Sequence, residues 1–224
     1  MIDVIIVSWA KDENFRKMTE QAIITAQLDE VNVVVVEQNK AVTYDVKTLH
    51  YDFAFNYNKC LNLGLSVCNN EYVALCNNDL IFSKNWSTNL INVLEMGYNT
   101  VSPYCPKSHP RKNILQGDYL YEGFEMGVDF IGWCIVAKRS LVDEIGLNEE
   151  VEFWYSDNLL NAQLIYLGKK HALVCNAIVE HIDIGTKTLR TLSHTQIDKY
   201  TRGQQAIYKR ELKKFYADRK KDIQ

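Results

Sequence analysis

The chain has 224 residues, of which 47% are hydrophobic, 24% charged and 11% aromatic, values near the averages for folded soluble proteins. This composition excludes a largely disordered chain and predicts one globular unit with an appendage. The net charge of −3 is unevenly placed, because residues 199–221 carry nine Lys or Arg against two acids. The C-terminal segment therefore presents a different kind of surface from the rest.

The six cysteines show no C-x-x-C pair and no zinc-ligand spacing. Scattered cysteines within apolar runs predict reduced, buried thiols in a cytoplasmic protein rather than disulfides. The apolar run in MIDVIIVSW, at the start of the sequence, is too short for a membrane span or a signal peptide. We expect this run to be the first strand of a soluble domain.

Strands and helices are predicted to alternate along the first half of the chain. Strands are predicted at residues 3–9, 31–39, 49–51, 71–76 and 100–104, and helices at 12–28, 55–67 and 86–96. The second of these strands, VNVVVVEQN, shows no polar alternation, which is typical of a parallel strand covered on both faces. This order predicts an open α/β sheet whose ligands lie beyond the carboxyl ends of the strands.

The second half is less regular. Residues 106–127 are polar and predict a surface loop or lid, and residues 128–146 predict a strand followed by a short helix. A helix over 156–168 that stops at a glycine, two short strands around Asn176, a mobile connection over 185–195 and a long helix over 196–221 follow. We therefore expect a domain over 1–185 and a C-terminal helical extension over 186–224.

Polar residues stand where the first, second and fourth predicted strands end. They are Ser8, Trp9, Glu37, Asn39, Asn77, Asn78 and Asp79. The carboxyl ends of parallel strands meet at one edge of a sheet, so these residues are expected to converge. A carboxylate such as Asp79, with no Lys or Arg beside it in the sequence, is costly to bury without a positive partner. A divalent cation that also holds a diphosphate would supply that partner.

Four segments resemble the family 2 glycosyltransferases, which have the GT-A fold. They are NKCLNLGL, EYVALCNNDLIF, FIGWCIVAKRSLVDEIGLNEE and FWYSDNLLNAQLIYLGKKHALVCNAIVEH, beginning at residues 58, 71, 130 and 153. The resemblance covers residues 1–182 in the family's order. It implies a Rossmann-like, mostly parallel twisted sheet flanked by helices, and a nucleoside-diphosphate sugar donor used with Mn²⁺ or Mg²⁺. The Q-x-x-R-W signature of processive synthases is absent from the sequence, which argues against polymer synthesis.

The resemblance also implies roles for particular residues. Asp79 closes an N-N-D form of the family's D-x-D motif and is the implied metal ligand, and His181 corresponds to a histidine that completes the coordination in some members. Asp157 is the implied catalytic base, although Ser156 stands where the family has Glu. The implied nucleotide-sugar residues are Ser8, Trp9, Glu37, Asn39, Asn58, Asn62, Asn77, Asn78 and Asp79, and the implied acceptor residues are Gly132, Trp133 and Trp154.

Sugar transfer explains the need for two acids. An acceptor hydroxyl must lose its proton as it attacks, and a carboxylate such as Asp157 can accept that proton. Meanwhile negative charge grows on the departing diphosphate, which a metal neutralises. A single displacement of this kind inverts the anomeric centre and needs no enzymic nucleophile. The sequence favours a glycan as the acceptor and leaves a protein or a modified DNA base open.

Structural explanations compete with these roles. Asn-Asn-Asp is a good turn sequence, Ser156 or Asp157 could cap a helix, His181 could end a strand, and Trp133 could belong to the core. The C-terminal helix could pack on its own domain, or contact a membrane or nucleic acid. The rival functions are a sugar-phosphate nucleotidyltransferase, disfavoured because SWAKDEN replaces a Gly-rich loop, and a noncatalytic binding protein that uses the basic helix.

Overall fold

The computed structural model describes residues 1–107, 109, 120–182 and 194–221. The strands are β1 (Ile2–Ser8), β2 (Val31–Glu37), β3 (Lys47–His50), β4 (Tyr72–Asn77), β5 (Leu80–Phe82), β6 (Thr100–Tyr104), β7 (Leu120–Glu122), β8 (Cys134–Lys138) and β9 (His171–His181). The helices are α1 (Glu13–Ala26), α2 (Tyr57–Leu65), α3 (Trp86–Glu95), α4 (Arg139–Ile145), α5 (Ser156–Tyr166) and α6 (His194–Lys221).

The nine strands of the described residues form one sheet in the order β3-β2-β1-β4-β8-β6-β9-β5, with β7 paired to β9. Strands β1 to β4, β6 and β9 run in one direction, and β5, β7 and β8 run in the other. The predicted fold class, a mostly parallel open α/β sheet flanked by helices and followed by a C-terminal helix, is confirmed.

The sheet is central because its inner strands are apolar on both faces. Every residue of β1 is buried, and the last five residues of β2 are buried as well. One core packs α1 and α3 on the first face of the sheet, and a second packs α2 on the other. Gly64 lets α2 approach closely, since a Cβ atom there would lie 2.5 Å from Cγ2 of Ile5.

The structure corrects three predicted elements. Strand β5 was not predicted, because three residues are too few to show a period. Residues 171–181 form one strand rather than two, with a register shift where Pro103 pairs with Val174 and Tyr104 with Ile178. Strand β7 lies inside the predicted loop over 106–127, of which residues 108 and 110–119 lie outside the described residues. Gly168 ends α5 at a φ of 62°, as the sequence predicted.

Helix α6 packs against its own domain. The ring of Tyr208 stacks on Tyr155 at 5.5 Å between centroids, and the buried side chain of Gln204 hydrogen-bonds Glu152. The predicted connection over 185–195 falls mostly outside the described residues, so the division at residue 185 stays a prediction. All six cysteines are free, and no helix of the described chain is long and apolar enough to cross a membrane.

Candidate functional site

The first cluster of predicted residues forms a hydrogen-bonded network at the ends of β1, β2 and β4. Ser8 lies opposite Glu37 in the β1–β2 register, and the network is continued by two residues that the sequence argument missed, Thr19 and Tyr44. The Ser8 hydroxyl lies 2.8 Å from Oγ1 of Thr19, which accepts from the Asn78 amide at 2.9 Å. The strand ends are therefore joined by side chains as well as by the sheet.

Glu37 is the anchor of this network. Its side chain is fully buried, and Oε1 accepts from the backbone amides of Ala10 and Asn39 at 2.9 and 2.7 Å. Oε2 accepts from the Tyr44 hydroxyl at 2.9 Å, and burial raises the pKa of Tyr44 to about 12. We expected Glu37 to accept from the nucleotide, but the structure gives its carboxylate three donors from the protein itself. Its observed role is to position the two loops beside it.

Trp9 and Asn39 lie on those loops. The Asn39 side chain donates to the carbonyl of Ala10 at 2.8 Å, so it holds one loop to the other. The Trp9 ring is 41% exposed, lies 5.9 Å from the ring of Phe55 in a stacked arrangement, and has the Lys11 ammonium 3.9 Å from its centroid. These loops thus present an aromatic ring and a cation at the rim.

The second cluster pairs Asp79 with His181. Strand β5 runs antiparallel to β9 with Leu80 opposite His181, and the amide of Ile182 donates to the carbonyl of Asp79 at 2.9 Å. Oδ2 of Asp79 consequently lies 3.1 Å from Nε2 of His181, and both side chains are about 15% exposed. The ring of His181 stacks on Trp133 at 5.5 Å and 9°, which fixes its plane.

The polar atoms of this pair fit a divalent cation. Oδ1 of Asp79 is buried and accepts no hydrogen bond. Nε2 of His181 is also buried and makes no hydrogen bond that meets the geometric criteria. Buried polar atoms without partners are costly and call for a ligand. Among the described residues no third His, Cys, Asp or Glu joins them. A cation held here would complete its coordination with diphosphate oxygens and water, as Mg²⁺ and Mn²⁺ commonly do.

A cavity of about 500 Å³ opens beside this pair. It is lined by six of the predicted residues, namely Asn77, Gly132, Trp133, Trp154, Asp157 and His181. Asp157 stands in the first turn of α5, where burial raises the pKa of its carboxyl above the ordinary value and the amide of Asn158 partly offsets the rise. A Cβ atom on Gly132 would lie 2.5 Å from Oδ2 of Asp157, so only glycine leaves room for this carboxylate.

Tyr57 is a cavity residue that the sequence argument missed. It opens α2, its side chain is 7% exposed, and its hydroxyl is buried without a hydrogen-bond partner. Burial raises the pKa of Tyr57 well above its usual range, so the hydroxyl stays protonated. No local pattern distinguishes this tyrosine from a core residue. The cavity wall therefore includes a tyrosine whose buried hydroxyl has no partner, as well as the carboxylate of Asp157.

Two predicted nucleotide residues lie elsewhere. The amide of Asn58 donates to the carbonyl of Asn148 at 2.7 Å, and the amide of Asn62 donates to the carbonyl of Leu147 at 3.0 Å. Both side chains thus tie α2 to the segment 147–151 that precedes α5. Neither side chain joins the strand-end network or lines the cavity of about 500 Å³. Asn58 lines a small neighbouring cavity together with Tyr57, Gly132 and Asp157. The hydrogen bonds of Asn58 and Asn62 position the segment 147–151.

The fold matches glycosyltransferases of the GT-A type. A mannosyltransferase, PcManGT from Pyrobaculum calidifontis in complex with GDP-Man and Mn²⁺, superposes with a TM-score of 0.63 at 13% identity over 83% of this chain and 57% of that one. GalNAc-T7 with UDP, GalNAc and Mn²⁺ superposes with a TM-score of 0.63 at 12% identity over 82% of this chain and 44% of that one. No protein-family model and no curated protein matches the sequence.

This similarity establishes the fold alone. The chain spans about half the length of these two enzymes, so their activities and ligands are not carried over with the fold. The resemblance to family 2 in particular stays a prediction.

Proposed function

We propose that this protein is an inverting glycosyltransferase that moves a sugar from a nucleoside-diphosphate sugar to an acceptor hydroxyl. The observation that carries the proposal is the buried, unpartnered Oδ1 of Asp79 beside His181, on the cavity that also contains Asp157. The GT-A fold adds support, because both superposed enzymes are described with Mn²⁺ and a nucleotide or nucleotide sugar.

Asp79 and His181 would hold Mn²⁺ or Mg²⁺, and a cation there would supply Lewis-acid stabilisation of the departing diphosphate. The loops positioned by Glu37 would receive the nucleotide, with Ser8, Asn39 and Asn78 supplying polar groups at the strand ends. Because these side chains are already fixed by one another, the donor would bind a rigid surface and little ordering would be lost on binding.

Asp157 would accept the proton of the attacking hydroxyl. Burial raises its pKa, which makes the carboxylate a stronger base than an exposed aspartate. The attacking oxygen forms its bond to the anomeric carbon as the bond to the diphosphate oxygen breaks, and the proton passes to Asp157. Because the hydroxyl would attack in one displacement from the face opposite the diphosphate, with no covalent intermediate on the enzyme, the product would have the inverted configuration.

The cavity wall favours a glycan as the acceptor. Five aromatic side chains line it, namely Tyr57, Trp133, Phe153, Trp154 and Tyr155. Aromatic faces pack against the apolar faces of sugars, and a hydroxyl such as that of Tyr57 can bind a sugar hydroxyl. The six free thiols fit a reducing compartment such as the cytoplasm.

The experiment is a thermal-shift screen of UDP, GDP, TDP and CDP with and without Mn²⁺. A ligand at about 100 times its Kd stabilises the folded state by about 2.7 kcal/mol, which raises Tm by about 5–10 °C for a chain of this size. We expect one nucleotide to do so only with Mn²⁺, and Asp79→Asn to abolish the metal-dependent part.

Asp52→Asn is the matched control, because Asp52 is an exposed carboxylate paired with Lys40. A shift of equal size without Mn²⁺, or in Asp79→Asn, would contradict the metal site. If no nucleotide shifts the Tm of the folded wild-type protein, the glycosyltransferase proposal itself fails.

A further inference from the structure

Six of the nine Lys and Arg residues within 199–221 fall into two groups. Arg210 pairs with Glu150 and Glu211 at 3.0 and 2.7 Å, and Lys214 lies 3.7 Å from Glu211. Four further cations, Lys199, Arg202, Lys209 and Lys213, have no acidic partner among the described residues. Ion pairing within the protein therefore does not explain why these four positions carry a positive charge.

The four unpaired cations lie on one side of the helix, which we call the basic face (Lys199, Arg202, Lys209 and Lys213). Their spacings of three, seven and four residues place them within about one quarter of the helix circumference. All four are exposed, and the buried residues Gln204 and Glu211 fall on the opposite side. The basic face extends for about 21 Å at 1.5 Å per residue.

An apolar groove borders the basic face. Leu212, Tyr216 and Ala217 form it, and Lys209 and Lys213 stand at its edges. It has a volume of about 400 Å³. The ring of Tyr216 lies 5.0 Å from that of Tyr166, which is itself 39% exposed. Cations beside partly exposed apolar and tyrosine side chains are typical of helices that lie at the headgroup level of a bilayer.

We propose that the basic face and its groove form a docking surface for an anionic lipid bilayer. The lysines and arginine would contact lipid phosphates, and the groove would receive the upper part of an acyl chain. The charge distribution complements such a surface, because residues 199–221 carry +7 and the net charge of −3 leaves −10 for the rest of the chain. Nucleic-acid phosphates would also attract the cations, but they would leave the groove without an occupant.

The test is co-sedimentation of the full chain with vesicles of phosphatidylcholine, with and without about one third phosphatidylglycerol, at about 0.15 M salt. We expect binding to the anionic vesicles only. The double variant Lys209→Glu, Lys213→Glu should weaken it on the order of 100-fold or more, since each cation near an anionic leaflet contributes about fivefold. Leu212→Gln, which makes the groove polar, should weaken binding several-fold.

The matched control is Lys59→Glu with Lys84→Glu, which makes the same change in net charge at two exposed lysines outside α6. This control should keep most of the vesicle binding, and the thermal midpoint of each variant reports folding. The proposal would be overturned if the protein showed no preference for anionic vesicles, or if the control variant lost as much binding as the test variant. It would also be overturned if the protein bound a 30-base-pair DNA duplex more tightly than the vesicles, with that binding removed by Lys209→Glu with Lys213→Glu and kept in Leu212→Gln.

Discussion

The two sides of the candidate site differ in how their buried polar groups are used. On the β1–β2 side, Glu37, Ser8 and Asn78 satisfy one another and the neighbouring loops through bonds of 2.7–3.5 Å. Around the cavity, Asp79 beside His181 and Tyr57 at the start of α2 keep buried oxygens without a partner. The first set of polar groups is satisfied within the protein, whereas the second keeps oxygens that have no partner in the protein.

This difference predicts opposite effects of mutation. Removing a member of the satisfied network leaves another buried group unpaired, which costs stability. Removing an unpartnered polar group relieves a cost that the folded protein already bears, so stability holds or rises while function is lost. Three substitutions test this contrast, each measured for both turnover and Tm.

Asp157→Asn should have the largest effect on turnover. Loss of the base is expected to slow transfer by about 10²–10⁴-fold, while metal-dependent donor binding survives, because Asp157 does not belong to the Asp79–His181 pair. The measurements are the transfer rate and the thermal shift with the nucleotide that the screen identifies. Equal losses of donor binding and transfer would show that Asp157 shapes the site rather than receiving a proton.

The same substitution should raise Tm at neutral pH. Burial raises the pKa of Asp157 in the folded protein, so between the ordinary and the raised pKa the folded state binds more protons than the unfolded state. The free energy of unfolding therefore falls as pH rises through that window, and asparagine removes this loss. The advantage of the variant should shrink as pH falls through the raised pKa, where wild-type transfer should also decline.

Tyr57→Phe should have an intermediate effect. Its hydroxyl has no partner in the protein, so a substrate hydrogen bond lost with it would lower kcat/KM by about 5–30-fold, the equivalent of roughly 1–2 kcal/mol. Tm should be unchanged or slightly higher. Tyr155→Phe is a suitable control, because Tyr155 lines the same cavity and stacks on Tyr208 through its ring. A drop in Tm without loss of kcat/KM in Tyr57→Phe would assign the hydroxyl a structural role.

The strands and most helices were predictable because each is a local pattern. Buried runs such as β1 and β2 show their burial in composition alone, and Gly168 marks the end of α5. The pairing of Asp79 with His181 depends on β5, whose three residues show no period and whose pairing with β9 spans about 100 positions of sequence. Long-range contacts of this kind leave no local signal, so the strand-end position indicated Asp79 alone, and His181 was identified only through the resemblance.

The roles hardest to predict were those of polar side chains whose hydrogen-bond partners are other groups of the protein. Glu37 was expected to contact the nucleotide, since a strand-end acid suggests an open carboxylate, but the donors that occupy it come from Ala10, Asn39 and Tyr44. Asn58 and Asn62 were expected near the donor because their helix precedes β4. Their amides point instead to the backbone of 147–151, a segment about 85–90 residues away that only the folded chain brings near.

Tyr44→Phe should have the smallest effect on turnover and the clearest cost in stability. The variant leaves Oε2 of Glu37, which is fully buried, without the donor it now has at 2.9 Å. An unsatisfied buried acceptor costs about 1–3 kcal/mol, so Tm should fall by about 2–10 °C. Because Asp79, His181 and Asp157 are untouched, kcat should stay within a few-fold, and any loss should appear as weaker donor binding. A loss of kcat at unchanged Tm would contradict this distinction, because it would show that the Glu37 network takes part in the transfer step rather than stabilising the loops around the site.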